Sequence, residues 1–330
     1  MDAMKTSAFL LSRRAALVLC SVSLLASHAA AQSLPMTIRI IVAYPAGGVS
    51  DVVARALADK LTQQLGSAVI VENRAGASGT IGVDAVAKAQ PDGATLGFAA
   101  ISPLVLSPHL GRIPYDPFKD ITPVASVMYS PVLLLATSAT GTRDFRSLLA
   151  DAKARPGDVR WATSGSASLG HIMLEQLRAD AGVDITHVPY KGGGQQMNDA
   201  VSGQFEVLST NAAPLVSAQI KAGKLRPLAV GAPARLESLA QVPTLAELGF
   251  KGANLSSQFG IIAPAGLPLE LVARYNAEIN KALASPDLRA RLTATDNVPT
   301  GGSAADFAKE IRSEYDATGR IIREANIKAD

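Results

Sequence analysis

Two short stretches carry residue types able to hold an anion without a cation. They are Tyr44-Pro45-Ala46-Gly47-Gly48-Val49-Ser50-Asp51 and Thr163-Ser164-Gly165-Ser166-Ala167-Ser168-Leu169-Gly170-His171. In each, a loop of small residues opens onto a helical pattern. The first N–H groups of a helix lack intrahelical partners and lie at the positive end of its dipole, so such a turn aims several donors at one point. The second stretch adds the hydroxyls of Thr163, Ser164, Ser166 and Ser168, and a carboxylate is what hydrogen bonds of this kind would hold. The candidate ligand residues are Tyr44, Ala46, Gly47, Gly48, Ser50 and Asp51 in the first, and Thr163, Ser164, Gly165, Ser168 and His171 in the second. Plainer roles stand beside these: Ser50 or Asp51 caps one helix, Ser166 or Ser168 the other, and His171 either reaches the site or is structural.

Two further turns have the same form. In His187–Gly194, Tyr190 either closes over a ligand or packs between lobes. In Ser209–Pro214, Asn211 reads as a helix N-cap that could also face a cleft. Ser102, near the start of the irregular, proline-rich segment Ile101–Asp120, completes the candidate set.

Other chemistries lack their signatures. No Gly-Lys-Ser/Thr follows the first loop and no G-x-G-x-x-G is present there, so no nucleotide cofactor is expected. No serine of the second loop lies in G-x-S-x-G, and Ser168 with His171 has no acidic partner at a known spacing, so no enzyme is expected. His109, His171 and His187 lie far apart in sequence, and no metal site is expected.

The elements that position these loops alternate. Ile38–Ala43 is a short β-branched run of the kind buried in a parallel sheet, ended by Tyr44-Pro45. Val53, Leu57, Leu61 and Leu65 form the apolar stripe of the following helix. Strands are expected at Ala68–Val71 and Thr95–Ala99, with a helix near Ile81–Lys88 between them. The pattern restarts at Val132–Ala136 and runs through strands at Val159–Ala162, Ile185–Val188, Phe205–Ser209 and Leu225–Val230. A last strand, Gly260–Ile262, precedes helices at Leu269–Ala284, Pro286–Thr293 and Ala304–Ala325. The alternation predicts an α/β fold with parallel or mixed sheets. The helical tail has too few strands for a domain of its own, so it is expected to pack back on the first unit. That gives two lobes of the Venus-flytrap type joined by two crossings, residues 32–132 with 255–330 and residues 133–254, with a ligand cleft between them.

Residues 1–31 read as an export signal, with Lys5, Arg13 and Arg14 at the basic end, an apolar run over Ala15–Leu25, and Ala29-Ala30-Ala31 as the cleavage site. Ser12-Arg13-Arg14 leaves general secretion and twin-arginine export both open. Cleavage near Ala31 removes Cys20, the single cysteine, and sends a soluble chain to the periplasm. Of 31 basic and 28 acidic residues, three and one fall in the signal, leaving 28 and 27. With no basic block and few aromatics, neither nucleic acid nor a membrane surface is an expected partner. A monomer is expected.

Set in order, several motifs resemble one family: Tyr44-Pro45-Ala46-Gly47-Gly48…Asp51…Ala54-Arg55, Val71-Glu72-Asn73-Arg74-Ala75-Gly76…Gly79, Pro91-Asp92-Gly93-Ala94-Thr95-Leu96, Ser164-Gly165…Ser168…His171, Val188-Pro189-Tyr190-Lys191-Gly192-Gly193 and Ala222-Gly223-Lys224-Leu225-Arg226. Over essentially the whole mature chain the sequence resembles the Bug family, the TctC-like extracytoplasmic solute receptors of tripartite tricarboxylate transporters. The resemblance implies a periplasmic two-lobed binding protein that delivers a carboxylate to membrane permease subunits. It also implies bridging waters gripped by the first loop and by the Ser/Gly loop of the second lobe. The chain departs from the family pattern at Tyr44-Pro45-Ala46, where Phe-Pro-Pro or Phe-Pro-Ala is usual, at Asn211, where Asp is frequent, and at Phe259, where Trp is common. Without that Asp, an amino-acid ligand is less favoured than a di- or tricarboxylate or an aromatic acid. A receptor for a membrane sensor kinase would use the same closed lobes, so transport and sensing both stay open.

Overall fold

The computed structural model describes residues 34–191, 193–324 and 327; the expected signal lies outside them. The first strand, β1 (Thr37–Val42), has Ile38, Ile40, Ile41 and Val42 at most 2% exposed. Both of its faces are therefore covered, as its unbroken apolar run requires. Helix α1 (Val49–Leu65) lays Val53, Leu57 and Leu61 on the sheet and ends at Gly66, whose φ of 70° is the left-handed cap position. It begins with Gly48 as N-cap and no side-chain cap, so neither Ser50 nor Asp51 caps it.

Strands β2 (Ala68–Asn73) and β3 (Thr95–Ala100) flank β1 in parallel, and α2 (Thr80–Ala87) makes the crossover. The segment after β3, expected to be irregular, contains two single-turn helices, α3 (Ser102–Val105) and α4 (Ser107–Leu110). Tyr115 pins it, donating its hydroxyl proton to the Pro103 carbonyl at 2.9 Å.

The strand expected at Val132–Ala136 begins much earlier: β4 spans Ile121–Ala136. Pro123 and Pro131 lack the N–H that a ladder needs and would end a strand by propensity. Instead, register shifts between Pro123 and Ala125 and between Ser126 and Met128 bend the strand without ending it. Pro131, with no N–H to give, stands where β4 changes partners. Up to Pro131, β4 runs antiparallel to β9 (Ser256–Pro264); from Val132 it pairs with β7 (Val207–Asn211) and β8 (Arg226–Gly231).

Beyond β7 lie β5 (Arg160–Thr163) and β6 (Thr186–Pro189), both parallel to their neighbours. The sheet order β2-β1-β3-β9-β4-β7-β5-β6 is thus mixed, and it curls through two lobes that share β4. The short strand β10 (Val298–Pro299) also pairs with β4.

Each lobe has its own core. In the first, α1 and α9 (Leu269–Ala284) cover one face. The other is covered by α2 and α11 (Ala304–Glu324), which presses Phe307 and Ile311 into it. In the second, α5 (Phe145–Ala154) and α6 (Leu169–Ala181) bury Phe145, Leu174 and Leu177 around Trp161. On its other face α7 (Gly193–Val201) and α8 (Pro214–Lys221) bury Met197 and Val216 with Phe205. The lobes are closed on each other: Val49 of the first packs against the second lobe's core, and Ile172 of the second belongs to the same buried cluster as Ile262 and Phe307 of the first.

Candidate functional site

The strand ends converge on a cavity of about 170 Å³ between the lobes. That is close to the ~150 Å³ that holds one benzene. Of the residues singled out in the sequence, Tyr44, Ala46, Gly47, Gly48, Ser50, Ser102, Ser164, Ser168 and Asn211 line it. Asp51, Thr163, Gly165, His171 and Tyr190 do not, and each has a visible reason.

Asp51 is turned back beneath the first turn. Its carboxylate accepts from the Gly47 N–H and from Asn73 Nδ2, both at 3.0 Å, and pairs with Arg55 at 2.8 Å. Asn73 Nδ2 also donates to the Tyr44 carbonyl at 3.1 Å, so one acid–amide pair sets the turn's shape. Burial pushes the Asp51 pKa up, but the bonds from Arg55, Gly47 and Asn73 outweigh it and hold the group below the ordinary carboxylate value. The Gly47 N–H is spent on Asp51. The donors left to face an anion come from Val49 onward, because the first intrahelical bond is Val52 N–H to Gly48 O.

In the second loop, Thr163 is fully buried. Its hydroxyl lies 3.1 Å from Gly165 O, 3.3 Å from Gly165 N and 2.8 Å from His187 Nε2. His171, 1% exposed, accepts the Ala167 N–H on Nδ1 at 3.3 Å and points Nε2 at Glu175, 3.6 Å away. Ala167 has φ 60°, so this bond holds the turn at its strained residue. His171 and His187, distant in sequence, stack with ring centroids 4.2 Å apart and planes 3° from parallel. They brace the loop from behind. Ser168 is the N-cap of α6, accepting the His171 N–H, and also lines the cavity.

Gly165, at φ 143°, touches Ser78 of the other lobe so closely that a Cβ would strike Ser78 Oγ. Tyr190 does not line the cavity and packs against the core of the second lobe. Its hydroxyl donates to Asp199 at 2.7 Å and its ring meets Phe205 edge-on within the second lobe; burial, then Asp199, pushes its pKa up to about 12. Asn211 is the last residue of β7 and caps nothing, since the N-cap of α8 is Ala213.

Sequence reasoning passed over Ser78, Ser209 and Ser257, which also line the cavity. Ser78 lies in the small-residue turn between β2 and α2, but only the closed lobes bring it to the site. Ser257 precedes the expected strand Gly260–Ile262, and nothing local marks it.

No lysine, arginine, histidine or carboxylate lines the cavity among the described residues. An anion there is balanced by helix N-termini and hydroxyls alone. Val132, Leu169, Met197, Val216 and Phe259 give it an apolar wall. Tyr44 packs edge-on to Phe259 at 6.4 Å, and burial raises its phenol pKa far enough to keep it neutral. Among the described residues no group of three or more His, Cys, Asp or Glu side chains is placed to hold a metal.

Comparison with known proteins places this arrangement. Residues 53–327 match the family model described as tripartite tricarboxylate transporter family receptor. Protein BugT of Bordetella pertussis is 35% identical over 293 residues, 88% of this chain and 90% of BugT. The R. palustris protein Rpa4515, solved with adipate, is 30% identical with a TM-score of 0.83, covering 88% of this chain and 98% of that one. MatC from Rhodopseudomonas palustris, solved with bound malate, is 28% identical with a TM-score of 0.81, covering 87% and 98%. The chain belongs to the tripartite tricarboxylate transporter receptor family, a family of two-lobed solute-binding proteins.

Proposed function

We propose that the protein is exported to the periplasm, with its signal cleaved near Ala31. There it captures a small carboxylate as a monomer and hands it to tripartite tricarboxylate-type permease subunits, with no covalent chemistry of its own. The observation that carries the reading is a cavity between the lobes, faced by two helix N-termini and a set of serine hydroxyls, with no charged side chain in its lining among the described residues. Such a site rewards an anion that accepts several hydrogen bonds at once, and its apolar wall suits a short carbon skeleton. The adipate and malate held by Rpa4515 and MatC support the same class. In this reading the lobes turn about the point where β4 changes partners, between Pro131 and Val132, and the ligand drives closure because it prefers the closed form.

The test is a thermal-shift and calorimetry panel of C4–C7 carboxylates, each run beside its amide. A ligand at ~100 Kd stabilises the folded chain by ~2.7 kcal/mol. At least one acid is expected to bind at least ~10-fold tighter than its amide, the loss of a charge-assisted hydrogen bond. Equal affinity for every acid and its amide would overturn the reading.

A further inference from the structure

The point where β4 changes partners is short of donors. The β4–β9 ladder ends at Pro131, paired with Ser256, and the β4–β7 ladder begins at Val132, paired with Asn211. Proline has no N–H, so at this step the main chain lacks one of the donors that tie a strand to its neighbours. Both crossings between the lobes meet here. β4 makes the first. The second runs from Ala253, in the core of the second lobe, to Phe259 of β9, in the core of the first.

The Asn211 side chain supplies donors at this point. Its Nδ2 lies 2.9 Å from Ser257 Oγ on β9, and 3.3 Å from Ser130 O and 3.4 Å from Pro131 O on β4. The two main-chain carbonyls only accept, so the atom facing them is the amide nitrogen, whose two N–H groups are shared among these acceptors. Pro131 O also takes the Ala212 N–H at 3.2 Å. Ser130 and Ser257 are register partners in the first-lobe part of the sheet, whereas Asn211 belongs to the second-lobe part. The carboxamide therefore reaches across the pivot, from one lobe to both strands that join it to the other.

We infer that Asn211 is a positioning residue for closure: it clamps both crossings and so holds the closed form, without choosing among ligands. This rests on the closure reading above, in which the lobes turn between Pro131 and Val132. A turn there moves β7 with the second lobe while Ser130 and Ser257 stay with the first, so opening draws the amide off its acceptors. The bonds then stabilise the closed form alone, and any ligand that needs that form binds more weakly without them. The residue type fits the task. Aspartate has no N–H and would set a carboxylate against two carbonyl oxygens, and leucine has a similar shape but no donor.

The experiment places spin labels on the mature chain at Gln63→Cys and Lys221→Cys. These are exposed positions on α1 and α8, helices that line one groove from opposite lobes. The single cysteine, Cys20, lies in the expected signal, so no other thiol is labelled. Distances between the lobes are read without ligand and along titrations with succinate, malate and adipate. In Asn211→Leu the concentration that half-closes the lobes should rise ~2–13-fold for each hydrogen bond lost, by the same factor for every acid. Ser257→Ala should raise it as well, but should add little once Asn211→Leu is present, because the two side chains share one bond. Melting curves confirm that the variants fold. A half-closing concentration unmoved in Asn211→Leu overturns the clamp. So does a factor that differs between acids, the mark of a direct ligand contact, or fully additive effects of the two substitutions. If none of the three acids closes the wild type, the carboxylate reading fails instead. The clamp is then judged on the unloaded distances, and a distribution unchanged in Asn211→Leu overturns it.

Discussion

The Ser78 hydroxyl donates to the main-chain carbonyl of Ser166, 88 residues away in the chain and on the opposite lobe. The bond exists only while the lobes are closed, so its free energy belongs to the closed form alone. With a net worth of ~0.5–1.5 kcal/mol, its loss in Ser78→Ala should weaken ligand affinity by ~2–13-fold. The melting temperature of the same variant held open should stay near that of wild type. Titration calorimetry with small-angle scattering, with and without ligand, checks both, and an unchanged affinity would show that this contact does not hold the lobes together.

The paired glycines of the first turn should behave differently. Gly47 has φ 80°, whereas Gly48, the helix N-cap, has φ −76°. Gly47→Ala is expected to cost ~1–2 kcal/mol of stability from left-handed strain alone. Gly48→Ala should cost little, its Cβ meeting only Pro45 O at 3.5 Å. Gly48→Val should instead crowd the cavity and reduce binding. Urea unfolding of the three variants, beside their affinities, separates strain from blockage; equal unfolding midpoints for the two alanine variants would refute the distinction.

What the sequence revealed follows from range. The strand–loop–helix turns at 44–51 and 163–171 are written in local pattern, since apolar runs, small residues and helical stripes lie next to one another. The roles of Asp51, Tyr190 and Asn211 depend on partners outside their own turns. Asn73 stands behind Asp51, Asp199 and Phe205 hold Tyr190, and Ser130, Pro131 and Ser257 engage Asn211. The length of β4 was hidden for a related reason. Pro123 and Pro131 break a strand by propensity, but here one sits at a bulge and the other at a change of partner.

The Asp51 pair gives a pH dependence with a definite sign. Its pKa in the folded chain lies below the unfolded value, so the stability it adds is fully present above the ordinary carboxylate value and is lost as pH falls through the depressed one. Asp51→Asn should therefore lower stability at pH 7 relative to wild type, and the gap should narrow only below pH ~4. From pH 5 to 8 this group should leave the gap flat. Urea unfolding of both proteins across that range is the measurement, and a gap that closes between pH 5 and 7 would place the effect elsewhere.

The stacked rings of His171 and His187 do two separable things for the second loop. The stack fixes their positions, and the Nδ1 of His171 accepts the N–H of Ala167, the residue held at φ 60°. His171→Phe keeps a flat ring for the stack but offers no acceptor. His171→Asn offers an acceptor oxygen near the Nδ1 position but no ring to stack. If the Ala167 bond shapes the cradle, the Phe variant should lose ~10-fold in affinity and the Asn variant less, since an unpaired buried N–H costs ~1–3 kcal/mol. Hydrogen exchange at the Ala167 amide reports the bond directly and should speed up in the Phe variant above all. A Phe variant that binds like wild type while the Asn variant fails would show that the stack, and not the acceptor, holds the loop.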